Sequence, residues 1–143
     1  MLLQVLALVA SLAGVGISIY LTVVHYSTIP LACPAGAVIN CEDVLSSSFG
    51  VIAGSGVPTS AAGIVWFAAS AGLALALSLG GRPQLARVQL AWSAIGLVTV
   101  VYLVYIEIVK LGVVCLWCTA AHVLVVLILL IAVSQPQGDR ARP

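Results

Sequence analysis

Apolar residues in this chain come as four long runs, broken by short polar stretches, with no two-residue alternation and no narrow helical stripe. The runs cover roughly residues 2–24, 58–79, 85–106 and 113–133. Each is close to the about 20 residues that a helix needs to cross a hydrocarbon core of about 30 Å. The first run holds no charged side chain and has no Lys or Arg ahead of it. It also exceeds the apolar core of about 7–15 residues typical of a secretory signal, so a retained helix is expected. Four spans and their connections consume nearly all of residues 1–143, leaving no room for an attached soluble domain. The pattern predicts one all-α integral membrane domain, a four-helix bundle.

The longest polar stretch, residues 25–57, exceeds the length at which loops usually carry function or structure of their own. Part of it reads as helix. Asn40 suits an N-cap, and Glu42 and Asp43 follow in the first turn, where they favour the helix dipole. Val44, Leu45 and Phe49 then share a face, and Gly50 is a stop signal. The expectation is a short amphipathic lid lying over the bundle at the membrane surface. Ala53-Gly54-Ser55-Gly56 reads as a flexible link, and Pro58 opens the second span, where proline is tolerated. Gly80-Gly81-Arg82-Pro83 is a tight turn that makes spans two and three antiparallel neighbours. Glu107 and Lys110, three apart where span three leaves the membrane, read as a solvated pair. The tail, residues 134–143, is polar and expected to fray.

Composition sharpens this picture. The chain is 63% hydrophobic and only 6% charged, against about 25% charged in soluble domains, which excludes a water-facing fold and makes lipids its surroundings. The net charge of +1 carries no basic patch, so nucleic acid is not an expected partner. Basic residues orient the bundle. Arg82 and Arg87 flank the turn between spans two and three, Arg140 and Arg142 lie in the tail, and Lys110 stands alone on the other side. The arginine side and both termini are therefore expected in the cytoplasm, with residues 25–57 and 107–114 facing outward. All four cysteines then share a compartment that permits disulfides if it is a periplasm.

Those cysteines are the candidate chemistry. Cys115 and Cys118 form a C-x-x-C at the opening of span four, where unpaired helix N–H groups favour a thiolate. A bridge within one helical turn would constrain almost nothing, so a redox role outweighs a structural one. Cys33 and Cys41 flank seven residues of bendable loop; taken alone they suit a structural bridge, but together with the C-x-x-C they make a dithiol relay. In that relay Cys33 faces an incoming protein while Cys41 swings toward Cys115. Zinc is disfavoured, because only one pair has the tight spacing of metal sites, and no metal is expected; Thr119 after Cys118 excludes a c-type haem motif. His122, one turn beyond Cys118 on the same face, is placed to hydrogen-bond a quinone carbonyl or pass a proton, or else to bond between helices. Ser46, Ser47 and Ser48 are candidate second donors. Trp66, Trp92, Trp117, Tyr102 and Tyr105 read as packing or interface aromatics.

With Cys33, the run Asn40-Cys41-Glu42-Asp43-Val44-Leu45-Ser46-Ser47 and Cys115-Leu116-Trp117-Cys118, the chain resembles the vitamin K epoxide reductase family in its short bacterial form without a fused thioredoxin domain. The disulfide bond protein B family places its C-x-x-C in the first outer loop, the reverse of the order here. The resemblance implies an inner-membrane oxidoreductase that reoxidises a periplasmic thioredoxin-like protein. Electrons would pass from Cys33 and Cys41 to Cys115 and Cys118, through a Cys41–Cys115 mixed disulfide, and then to a lipid-soluble quinone. It further implies a quinone site under the lid, close to Ser47 and His122, with Leu45, Phe49 and Thr59 lining it. Animal members carry tyrosine where His122 falls, so a respiratory menaquinone or ubiquinone is expected rather than vitamin K epoxide. The rivals are a vitamin K reductase proper, a metal permease with thiol ligands, and a membrane scaffold statically braced by Cys33–Cys41 and Cys115–Cys118 bridges.

Overall fold

A computed structural model describes residues 1–27, 29–34, 36–52 and 54–135. Arg140 and Arg142, half of the charge argument for orientation, lie outside the described residues, as do Ala53 of the glycine-rich link and most of the tail. The fold is all-α, and among the described residues four helices are long and apolar enough to cross a membrane. They are α1 (Leu2–Tyr26), α3 (Thr59–Ser78), α4 (Pro83–Tyr105) and α5 (Leu116–Ser134), with a short α2 (Cys41–Ser46) between the first two.

Alanines and serines lie buried beside Val100, Val125 and Ile128 inside the bundle, while many other branched apolar residues face out. Val65, Val98, Val123 and Leu130 are each more than half exposed, the arrangement expected where lipid is the solvent. Gly14 of α1 lies against the ring of Phe67, and Gly63 of α3 against Ser18, so these two helices approach closely. Gly96 of α4 accepts the Trp66 indole in the same way. Interior hydroxyls are satisfied by their own helices: Ser11 donates to the Ala7 carbonyl (2.7 Å) and Ser93 to that of Gln89 (2.8 Å). At the end remote from the cysteines, Gln4 and Gln89 exchange amide hydrogen bonds of 3.2 and 3.3 Å, and Gln135 donates to Gln89 (3.2 Å). This amide cluster ties α1, α4 and the end of α5 together.

At the cysteine end the third span does not stop near residue 106. It continues as a π-helical turn, Ile106–Leu111, giving a continuous helix of 29 residues. The turn closes at Gly112, whose φ of 69° is a left-handed conformation that a side chain would strain. Span four begins at Leu116 rather than 113, because residues 113–115 are drawn out to pair with the first loop.

The lid is present, though shorter than its apolar pattern predicts. Asn40 caps it as expected, its side-chain oxygen accepting from the Asp43 N–H (3.2 Å) while its amide donates to the Asp43 carboxylate (2.6 Å). The helix ends at Ser46, so Phe49 does not lie on its face but returns from the turn that follows. A helix of six residues is unstable alone. This one is held by its cap, by packing on α5 and the π-helical turn, and by a link to α3 in which Thr59 N–H donates to the Gly50 carbonyl (2.9 Å).

Candidate functional site

Cys33 and Cys41 are joined in a disulfide, their Cα atoms 6.2 Å apart, whereas Cys115 and Cys118 are free. The static scaffold requires both pairs to be bridged. Cys33 is half-buried in irregular chain, but Cys41 is 1% exposed at the first position of α2. Cys41 thus sits in the capped first turn of the lid, while Cys33 lies in the chain before it.

Two ties bring the loop pair to the C-x-x-C. Asn40 N–H donates to the Val114 carbonyl (3.2 Å) and Val114 N–H to that of Val38 (2.8 Å), forming a parallel bridge between Ile39 and Val114. Parallel register means that Cys41, two residues past Ile39, and Cys115, next to Val114, continue on the same side of the link. The second tie comes from inside the C-x-x-C. The Trp117 indole donates to the Ala32 carbonyl (2.8 Å), and Ala32 N–H donates to the Tyr20 hydroxyl (3.0 Å), whose ring lies 5.0 Å from that of Trp117. Trp117, expected to be packing, anchors the residue before Cys33.

Cys115 is the N-cap of α5, with its sulfur where a capping oxygen would be, accepting from the Cys118 N–H (3.2 Å). Its thiol is drawn below the ordinary value chiefly by hydrogen bonding from the Cys118 side chain, with help from the backbone N–H groups of Cys118 and Trp117. Burial and the nearby Glu107 carboxylate oppose this and do not overcome it. Glu107 itself corrects the sequence reading. Rather than pairing with Lys110 in solvent, it is 5% exposed, and its Oε2 accepts from Cys115 N–H (3.1 Å). The i→i+5 winding of the π-helical turn moves residues three apart off a common face.

Below the lid lies a cavity of about 480 Å³, within the range of small-molecule pockets. Leu45, Ser47, Phe49, Thr59 and His122, drawn from three separate stretches of chain, all line it, and so does Cys118. Cys33, Cys41 and Cys115 do not, so Cys118 is the sulfur that opens on the cavity. Ser47 spends its hydroxyl proton on the Val44 carbonyl (2.8 Å), leaving its oxygen to accept from Gly50 N–H (3.2 Å). Thr59 donates to the Phe49 carbonyl (3.3 Å). His25 and Glu107 also line the wall.

Trp66 and Trp92 stack within the same wall, with centroids 6.3 Å apart and planes 10° from parallel. The sequence held a signal for part of this. Thr59, Ala62 and Trp66 recur at helical spacing on α3, and Trp92, Gly96, Thr99, Leu103 and Ile106 do so on α4, with Glu107 adjoining the end of that row. An acidic side chain at the end of a transmembrane stripe is a functional candidate by default.

The vitamin K epoxide reductase family model matches residues 5–133 of the chain. No curated protein matches it.

Proposed function

The chain belongs to the vitamin K epoxide reductase family, and from that premise we propose that it is a quinone-reducing thiol–disulfide oxidoreductase that generates disulfides for a thioredoxin-like partner. Membership itself makes it a membrane oxidoreductase with a disulfide pair. The observation that carries the finer reading is the order of the four sulfurs. Cys33 is half-buried in the irregular loop, Cys41 and Cys115 each follow closely on the Ile39–Val114 bridge, and Cys118 opens on an apolar cavity.

In this reading a partner dithiol reduces Cys33–Cys41 and leaves with a disulfide of its own. The Cys41 thiolate then attacks Cys115 of an oxidised helix pair and displaces Cys118. Cys33 attacks Cys41 in turn, which restores the loop disulfide and releases Cys115. Two electrons have moved inward at that point. The loop pair is oxidised and the helix pair reduced, as the structure has them. A bound quinone supplies the electron sink, taking two electrons and two protons as Cys115 and Cys118 close their bond. The cavity fits such a ring: its walls are largely apolar, the stacked indoles offer a flat surface, and His122 offers a polar contact to a carbonyl oxygen. Arg82 and Arg87 at the turn between α3 and α4 favour placing the cysteines on the outer face of the cytoplasmic membrane, with both termini inside.

Membranes containing the protein should reduce a short-chain ubiquinone or menaquinone when given a reduced thioredoxin-like protein, and Cys118→Ala should lower this to background. With Cys33→Ala and Cys118→Ala combined, a Cys41–Cys115 linkage should appear on non-reducing gels. A double variant that never forms that linkage, with full quinone reduction in Cys118→Ala, would sink the relay.

A further inference from the structure

Glu107 is the one acidic or basic side chain among the described residues that is buried. It sits on the π-helical turn, a feature concentrated at functional sites, and its Oε2 takes the backbone N–H of Cys115. Glu107 and His122 both line two spaces, the cavity under the lid and a groove of about 490 Å³ between α4 and α5 flanked by Ile108, Val123 and Leu130. A carboxylate in such a place needs a reason.

The proton balance of the helix pair provides one. Reducing a quinone takes two electrons and two protons. Cys118 brings one proton if it is a thiol. Cys115, whose sulfur caps α5 and accepts the Cys118 N–H (3.2 Å), is placed to react as a thiolate, and a thiolate brings its electrons without a proton. One proton is therefore missing. Two like charges this close inside a bundle are also unfavourable, so a Cys115 thiolate and a Glu107 carboxylate do not stand side by side.

We propose that Glu107 carries the second proton: it is protonated while the helix pair is reduced and gives its proton up as the pair is oxidised. The step balances. A thiolate at Cys115, a thiol at Cys118 and a carboxylic acid at Glu107, with a quinone, become a disulfide, a carboxylate and a hydroquinone. One S–S bond forms, two electrons and two protons leave the protein, and the single buried negative charge moves from sulfur to oxygen. Recharging reverses the charge movement when electrons next arrive from the loop pair. The groups facing Glu107 are consistent with this assignment. Cys115 at the N-cap of α5 donates its N–H to the carboxyl, Cys118 and His122 of α5 and His25 of α1 line the same cavity, and Glu42, Asp43 and Lys110 are exposed.

The inference rests on the quinone reading above, and its test separates the two. Glu107→Gln retains an oxygen to accept from Cys115 N–H but holds no transferable proton, so a purely positional role predicts wild-type behaviour. The expectation is an unchanged melting temperature, an unchanged KM for a short-chain ubiquinone and a kcat about 100-fold lower, the usual scale of a lost acid–base group. The second readout needs no quinone. Infrared difference spectra between the dithiol-reduced and chemically oxidised protein should show a protonated-carboxyl band in the reduced state. That band should shift in Glu107→Asp and be missing from Glu107→Gln. Wild-type protein that reduces quinone alongside an equally fast Glu107→Gln overturns the proton role and leaves the relay standing. If the wild type reduces no quinone, the relay fails, and the infrared band still decides: its presence upholds the proton coupling and its absence overturns it.

Discussion

Cys115 combines two roles that usually fall to different residues. Its sulfur caps α5 in place of a hydroxyl or carboxylate, and its residue follows directly on the Val114 bridge to the first loop. The capping N–H groups and the Cys118 side chain stabilise the charged form, so the thiolate is present at lower pH than in an ordinary cysteine. In protein lacking the loop pair (Cys33→Ala with Cys41→Ala), ultraviolet thiolate absorbance should rise with a midpoint below the ordinary thiol value of 9.0. Adding Cys118→Ala removes the largest stabilising contact, and the midpoint should move up. A midpoint that ignores Cys118 would show that the sulfurs do not interact. The C-x-x-C spacing announces a thiolate at a helix start. It does not say which of its two sulfurs is the cap, because that depends on where the helix begins, and span four begins three residues later than its apolar run.

The lid and the π-helical turn are the elements on which the site depends, and they were unequally legible. Asn40, Glu42 and Asp43 mark the start of α2 by local chemistry alone, and the structure has the cap in place. The helix end was misread because Phe49 joins the cavity through a turn, and the apolar spacing of Val44, Leu45 and Phe49 mimics one continuous face. Because α2 is so short, its cap should matter more than in a long helix. Asn40→Ala is expected to cost about 1 kcal/mol, which raises the open-lid population about fivefold. Amide exchange over residues 41–46 should accelerate by that factor, while exchange in α3 stays unchanged. Equal exchange in the two proteins would mean that the disulfide and the Val114 bridge hold the lid without its cap. The winding of the turn at Glu107 has no local signature, since a Glu three residues before a Lys is equally at home on an exposed α-helix.

Across the whole molecule, the bundle is assembled through close contacts at small residues. Two glycines of α1 test this. A Cβ on Gly14 would run into the buried ring of Phe67, whereas one on Gly16 would meet nothing within 4 Å. Gly14→Ala should destabilise by about 1–3 kcal/mol through overpacking, while Gly16→Ala should be neutral or stabilise by up to about 1 kcal/mol through helix propensity. Thermal melts in detergent would check the contrast, and equal shifts would place the α1–α3 contact elsewhere. The sequence by itself determined that this is a membrane-crossing all-α chain, with thiol pairs at one end and a capped helix in the first loop. Those properties follow from runs of apolar residues and from groups a few positions apart, which local chemistry dictates. Only the tertiary structure decided that Glu107 turns inward, that Trp117 holds Ala32, and that Leu45, Phe49, Thr59, Cys118 and His122 share one cavity. These juxtapositions depend on how the helices rotate against one another, and that rotation is set by which glycine receives which ring.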